Sequence, residues 1–326
     1  MALSDAQRSH LLEVEAGLRD WPFPPQLIVE NTSYCNLECV HCCHKEMHRP
    51  QRHMPRALWD KIVEEVGREM PGCELWPTFY GEALVMGKDG ELWDRLDHAA
   101  RAGCQNLVLN SNGTLLTRWD NIDRVLASPL KRFILSLDGF SRETFEAIRV
   151  GADRDEVYAA IEELLRRRAR LNQAYPAIIC QYSIMERNAG EVDAFTDYWR
   201  ARGAEIKTRP MLEWAAAGSV QAPNLDHGTE FRIACPWANN TMAIHQSGDV
   251  VACAVDYDGG FTVGNVATES VVSLWKRLGA SLRAVHRAHD WAALPQICSN
   301  CRDWQVAGAQ YEAERVPGTR PFWVTE

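Results

Sequence analysis

Three of the four cysteines in the run NTSYCNLECVHCC, at 31–43, constrain this chain more than any other feature. Cys35, Cys39 and Cys42 are separated by three and then two residues. An odd set at such short spacing is poorly suited to disulfides and well suited to holding a metal. On spacing alone a zinc site or a redox pair remains the plain alternative. The segment follows a β-rich run, so the fold must present a strand end as a binding loop.

Composition narrows the class. A chain of 326 residues, 46% of them hydrophobic, is long enough for one large domain or two ordinary ones. Its 35 basic and 44 acidic residues leave a net charge of −9, which implies no general attraction to nucleic acid or to an anionic membrane. No apolar run approaches a membrane span, and the N-terminus mixes charge with leucine, unlike a secretory signal. The chain therefore reads as cytoplasmic, where its eleven cysteines stay reduced.

Strand patterns at 26–34, 74–81, 106–113, 132–139, 176–185 and 204–211 alternate with helical patterns at 56–70, 91–102, 153–171 and 191–202, after a first helix at 4–20. Such alternation predicts an α/β fold, a partial (β/α)6 parallel barrel. The expected division is an N-terminal helix (1–24), a barrel core (25–212), a linker (213–234), a C-terminal module (235–303) and a tail (304–326) carrying Tyr311, Phe322 and Trp323. Barrel sites lie at the C-terminal ends of strands. There, Thr78 and Tyr80, Asn110 and Asn112, Ser136 and Asp138, Gln181 and Ser183, and Lys207 and Arg209 recur at alternate positions, which predicts a polar lumen.

A 4Fe–4S cluster normally takes four cysteines, so three leave one iron open to a chelating ligand. With that spacing, the chain resembles the radical S-adenosylmethionine (radical SAM) superfamily. The resemblance implies that the open iron binds the amino and carboxylate groups of S-adenosylmethionine, whose cleavage yields a 5′-deoxyadenosyl radical. Tyr80, Gly81 and Glu82 resemble the family's glycine–glutamate motif, which implies that Glu82 holds the cofactor ammonium. Asn110, Ser136 and Asp138 match segments that approach the ribose and the carboxylate, and Arg149, in ETFEAIRVGA, matches a carboxylate-pairing arginine. His41 stands where the family usually has an aromatic near adenine.

Cys235, then Gly248 and Cys253, then Cys298 and Cys301 resemble the start of the SPASM extension. With no further cysteines after Cys301, the pattern is that of its short form, the twitch domain, a β-hairpin plus helix. The hairpin is expected at 242–245 and 250–254 around Gly248, and the helix at 270–289. Four cysteines imply a second, fully ligated 4Fe–4S cluster; structural zinc is the alternative.

The resemblance implies hydrogen abstraction, and the twitch-bearing branch implies a carbohydrate-like substrate, an aminocyclitol or aminoglycoside intermediate. The expected reaction is oxidation of a carbinol to a ketone, with epimerisation and peptide modification as alternatives; the 24 or so residues before the first strand argue against a leader-binding domain. Electrons would come from a flavodoxin- or ferredoxin-type donor. Cys43 is the candidate hydrogen donor, and Arg209, Asp256 and His44 are candidate bases. Cys73, Cys104 and Cys180 are expected to be buried away from the chemistry.

Overall fold

The computed structural model describes residues 5–214, 231–299 and 301–306. Its strands are β1 (Gln26–Val29), β2 (Glu74–Trp76), β3 (Asn106–Ser111), β4 (Arg132–Ser136), β5 (Ala177–Ile184), β6 (Glu205–Pro210), β7 (Thr241–Ile244), β8 (Asp249–Val251) and β9 (Thr262–Asn265). The helices are α1 (Asp5–Ala16), α2 (Arg56–Glu69), α3 (Glu91–Arg101), α4 (Asn121–Ala127), α5 (Arg142–Ile148), α6 (Arg154–Leu171), α7 (Val192–Arg200), α8 (Pro236–Asn240), α9 (Val271–Leu278), α10 (Ala284–Arg287) and α11 (Gln296–Ser299).

β1 to β6 form consecutive parallel pairs, as the alternating pattern predicts. Two residue sets on the central strands explain the layering. Leu109, Leu135 and Cys180 join the main core against the helices, while Val108, Ile134 and Ile179 form a separate cluster with Trp76. The latter share parity with Asn110, Ser136 and Gln181, so the same strand face runs from an apolar floor to a polar rim. Outside, α2 buries Trp59, Ile62, Val63 and Val66, an apolar stripe at helical spacing. Cys73, Cys104 and Cys180 all lie in the main core.

The C-terminal hairpin joins the barrel through its first strand. β7 pairs in parallel with β1, Gln26 opposite Thr241 through Val29 opposite Ile244, so β7, β8 and β9 continue the barrel sheet. Gly248 turns the hairpin at φ +91°. β9 escapes the hydrophobic pattern because it is short, mostly half-buried and ends in Gly264 and Asn265. β1 and β2 end well before the expected 34 and 81, because the following extended residues leave the ladder to build loops. The 270–289 helix is broken by a π-helical turn at Gly279–Arg283. Most of the expected linker and nearly all of the tail, including Tyr311, Phe322 and Trp323, lie outside the described residues.

Two buried histidines make this fold acid-sensitive. Burial, helped by Arg49, pulls His245 down to about 3, and burial with Arg232 pulls His286 down to about 4. Both are neutral when folded, whereas in the unfolded chain they titrate near 6.5. Their contribution is therefore complete above pH 6.5 and falls as the pH drops toward 4. Urea unfolding between pH 7 and 4 should show a loss on the order of 3 kcal/mol for each histidine. His286→Phe should remove its share, and an unchanged pH profile in that variant would contradict this origin.

Candidate active site

The three-cysteine loop is tied down from both sides. Its far strand is the backbone around Arg149: Glu38 N donates to Val150 O at 3.0 Å and Val40 N to Ile148 O at 3.0 Å. This pairing brings the Arg149 Nη1 to 3.6 Å from Cys39 Sγ. On the other side Glu82 N donates to Tyr34 O at 2.9 Å. A Cβ on Gly81 would stand 2.2 Å from Thr32 O, so only glycine permits that approach.

Cys35, Cys39 and Cys42 line one cavity together with His41, Tyr80, Gly81, Glu82, Asn110, Ser136 and Arg149. The C-terminal strand ends hold that wall in register. Gln181 Nε2 donates to Ser136 Oγ at 3.1 Å, and Ser136 Oγ donates to Asn110 Oδ1 at 2.9 Å, a chain across β5, β4 and β3. Glu82 is buried, and its carboxylate accepts from Leu84 N (3.0 Å), Ser111 Oγ (2.9 Å) and Asn112 N (2.7 Å). Burial raises its pKa, with these donors opposing.

Asp138 is placed differently from expectation. It is fully buried and supports the wall from behind, with φ +59°. Its carboxylate pairs with Arg149, lies 3.2 Å from His41 Nε2 and accepts from Ser183 N at 2.6 Å. Burial opposes ionisation, yet Arg149 and His41 hold this carboxyl well below the usual range. Asp138 thus orients two cavity residues in place of the direct contact expected of it.

The other candidates also separate. Cys43 is buried and does not line the cavity; its thiol faces Cys42 and lies near Tyr80. Asp256 accepts from Gly260 N (2.6 Å), Phe261 N (3.0 Å) and Ala252 N (3.3 Å), which makes it the organiser of the β8–β9 loop, outside the cavity lining. Arg209 does line the cavity, but a guanidinium is a poor proton acceptor. His44 lines it too, its Nε2 donating to Ser33 O at 2.7 Å.

The second cysteine set gathers where the hairpin meets the C-terminal helices. Cys253 and Cys301 pack in one apolar cluster with Leu212, Val255, Trp214 and Trp237. Burial raises the Cys253 thiol first, and then Cys298, Cys235 and Cys301 raise it further, so all four sense one another. Two contacts connect the sets. Tyr80 O–H donates to Ala254 O, beside Cys253, at 2.9 Å, and Trp214 Nε1 donates to His41 O, beside Cys42, at 2.8 Å. Their rings stand 5.6 Å apart.

These residues suit iron–sulfur ligation by their chemistry. Burial pushes Cys35 and Cys298 up to about 12, so ionising these thiols calls for a cationic centre. Among the described residues no three His, Cys, Asp or Glu side chains are drawn close enough to hold a single metal ion. Soft thiol donors grouped at one cavity wall suit an iron–sulfur cluster better than a single hard ion.

Residues 29–172 match the model of the radical SAM superfamily, and 235–302 that of the SPASM iron–sulfur cluster-binding domain. The chain carries a radical SAM domain followed by a SPASM iron–sulfur cluster-binding domain. As such it takes S-adenosylmethionine and two 4Fe–4S clusters. Cys35, Cys39 and Cys42 would hold the first, and Cys235, Cys253, Cys298 and Cys301 the second. When loaded, the first cluster supplies the electron that cleaves the cofactor sulfonium.

Similar curated proteins are GTP 3′,8-cyclase 1 of Pseudomonas aeruginosa, 29% identical over 62% of this chain and 58% of its own, and mycofactocin maturase MftC of Mycolicibacterium smegmatis, 26% identical over 60% and 46%. The chain thus spans about half the length of these relatives. Among solved structures, Streptococcus suis SuiB bound to precursor peptide SuiA gives a TM-score of 0.66 at 12% identity, covering 86% of this chain and 70% of SuiB. BtrN in complex with AdoMet and 2-DOIA gives 0.59 at 14%, covering 87% and 94%. These likenesses concern the fold. No helix among the described residues is long and apolar enough to cross a membrane.

Sequence patterns missed Phe79, Trp214 and Trp237, which belong to short or irregular segments without periodicity. They also missed the half-buried Arg49, whose guanidinium donates to both Glu30 oxygens at 2.6 Å and to Gln246 at 2.7 Å, joining the cysteine loop to the hairpin. A lone arginine in a loop carries no signal for such a partner.

Proposed function

We propose that this radical SAM enzyme abstracts hydrogen from a carbinol carbon of a sugar- or cyclitol-like small molecule and oxidises that carbon to a ketone. The observation that carries this reading is a second cavity between the two cysteine sets. It shares Thr78, Phe79, Asn110, Gln181, Arg209 and Trp214 with the first and extends to Trp237 and Ala254, near Cys235 and Cys253. Its mixed lining suits a hydroxylated ring, with amides and hydroxyls for the O–H groups and indole faces for the C–H faces. BtrN, aligned over 94% of its length, binds 2-DOIA.

Oxidation removes a hydrogen atom from carbon, a proton from oxygen and one further electron. Bound S-adenosylmethionine would supply the hydrogen-atom acceptor, a cluster held by Cys235, Cys253, Cys298 and Cys301 would supply the electron acceptor, and His44 would take the proton. Nε2 of that ring donates to Ser33 O, which leaves Nδ1 as its acceptor in the neutral form. The burial of Cys43 outside the cavity lining weighs against epimerisation, which needs a thiol facing the substrate. Peptide modification is the second reading, favoured by the likeness to a maturase and to peptide-bound SuiB.

Anaerobically reconstituted enzyme with carbon-deuterated sugars and cyclitols separates these readings. The expected result is deuterium in 5′-deoxyadenosine and a product that has lost one deuterium from carbon and one hydrogen from oxygen. A product in which solvent hydrogen has merely replaced that deuterium, one mass unit lighter than the labelled substrate, would instead establish epimerisation. Turnover of peptides alone would establish the maturase reading.

A further inference from the structure

Arg149 makes two contacts at the wall of the first cavity that together point at an electron. Its Nη2 pairs with the buried Asp138, and its Nη1 donates to Cys39 Sγ at 3.6 Å. The backbone leaves both contacts little freedom. Arg149 N donates to Phe145 O at 2.7 Å, and the flanking Ile148 and Val150 carbonyls accept from Val40 and Glu38, one on each side of Cys39. The other two thiols of the loop take hydrogen bonds from uncharged donors: Cys35 from the Leu37 amide, and Cys42 from Cys43 and the His44 amide. At Cys39 the donor carries a full positive charge.

Reducing an iron–sulfur cluster adds one electron, drawn from a low-potential one-electron donor that is itself oxidised, and moves no proton. Part of the added charge falls on the ligand sulfurs, so a charge-assisted N–H···S bond favours the reduced form. Asp138 works against this, but it meets the guanidinium on the other terminal nitrogen, which leaves the positive end next to the sulfur. We infer that Arg149, acting through Cys39, makes the cluster on this loop easier to reduce, and that Asp138 limits how far. This rests on Cys35, Cys39 and Cys42 holding that cluster, which the iron content of Cys42→Ala decides separately. It also gives Arg149 a duty other than pairing with the carboxylate of S-adenosylmethionine, because Asp138 already occupies its Nη2.

Redox titration followed by electron paramagnetic resonance, on anaerobically reconstituted protein without S-adenosylmethionine, tests this apart from turnover. Cys42→Ala protein, which keeps the second set of thiols, identifies the signal of the second cluster. Arg149→Gln combined with Asp138→Asn removes both charges and strands neither. In that double variant the first cluster should be about tenfold harder to reduce, about 59 mV for one electron, with the second cluster unmoved. Asp138→Asn alone should shift the first cluster the opposite way, because the cation on the sulfur is then unopposed. Lost packing would not reverse sign between two such variants. If Asp138→Asn is too unstable to load, Arg149→Lys takes its place: a charge kept near the sulfur should put the potential between those of the wild type and the double variant. A wild-type potential in the double variant overturns the proposal, and weaker S-adenosylmethionine binding by that same protein would assign Arg149 to the cofactor carboxylate instead. Equal shifts of both clusters would also overturn it, since they report a general disturbance.

Discussion

Cys42→Ala is expected to abolish 5′-deoxyadenosine formation. Three thiols serve the first cavity, and removing one leaves two donors for a group that needs three from the protein. Cys42 is also the thiol best prepared to ionise. A hydrogen bond from Cys43 brings it down to about 6, against burial and with help from His41. The adjacent Cys43 supplies the control, because it is buried outside the cavity lining: Cys43→Ala removes that hydrogen bond yet retains all three thiols. Iron analysis should fall from about eight to about four per chain in Cys42→Ala and stay near eight in Cys43→Ala. Retained cofactor cleavage in Cys42→Ala would sink the assignment of this loop.

Asp138→Asn should destabilise the fold by about 3–5 kcal/mol, because it strands the buried Arg149 without its charge partner. Asparagine tolerates the left-handed backbone at φ +59°, so the loss reports the charge and not the conformation. The linkage has a definite sign. The folded pKa lies below that of an unfolded aspartate, so the stabilisation is present above about pH 4 and disappears as acid titrates the folded carboxyl. In Asp138→Asn the steepest acid limb should vanish, while the histidine-dependent decline between pH 6.5 and 4 persists. Cofactor cleavage should drop as well, since Arg149 and His41 both line the cavity. Wild-type stability with an intact acid limb would show that Asp138 carries no such load.

The cysteine spacing and the period-two strand ends made the barrel and most of the first cavity legible, because those signals depend on local geometry. His41, Tyr80, Gly81, Glu82, Asn110, Ser136 and Arg149 all meet at the cavity from distant positions. Asp138 was legible as a polar strand-end residue but not as a support, since its role depends on Arg149 and His41 reaching it from the two sides. Asp256 shows the same dependence on tertiary contacts: its sequence position does not reveal the three backbone amides of its own loop that it binds. Trp214 and Trp237 left no trace in the pattern, because aromatic residues outside regular elements carry no periodicity. The joining of hairpin and barrel was equally silent, for strand partnership across 215 positions is a tertiary fact.

That parallel pairing of Gln26 with Thr241 has a consequence for how the molecule is made. β1 leaves the ribosome before the other barrel strands, yet its second neighbour is synthesised more than two hundred residues later. At about 5–20 residues per second, the edge of β1 waits roughly 10–40 s for β7. During that interval the cysteine loop that follows β1 hangs from a half-paired strand, and its apolar face is open to other chains. Assembly of the barrel, and with it the time at which iron can be installed safely, is thereby set by the arrival of the C-terminal segment.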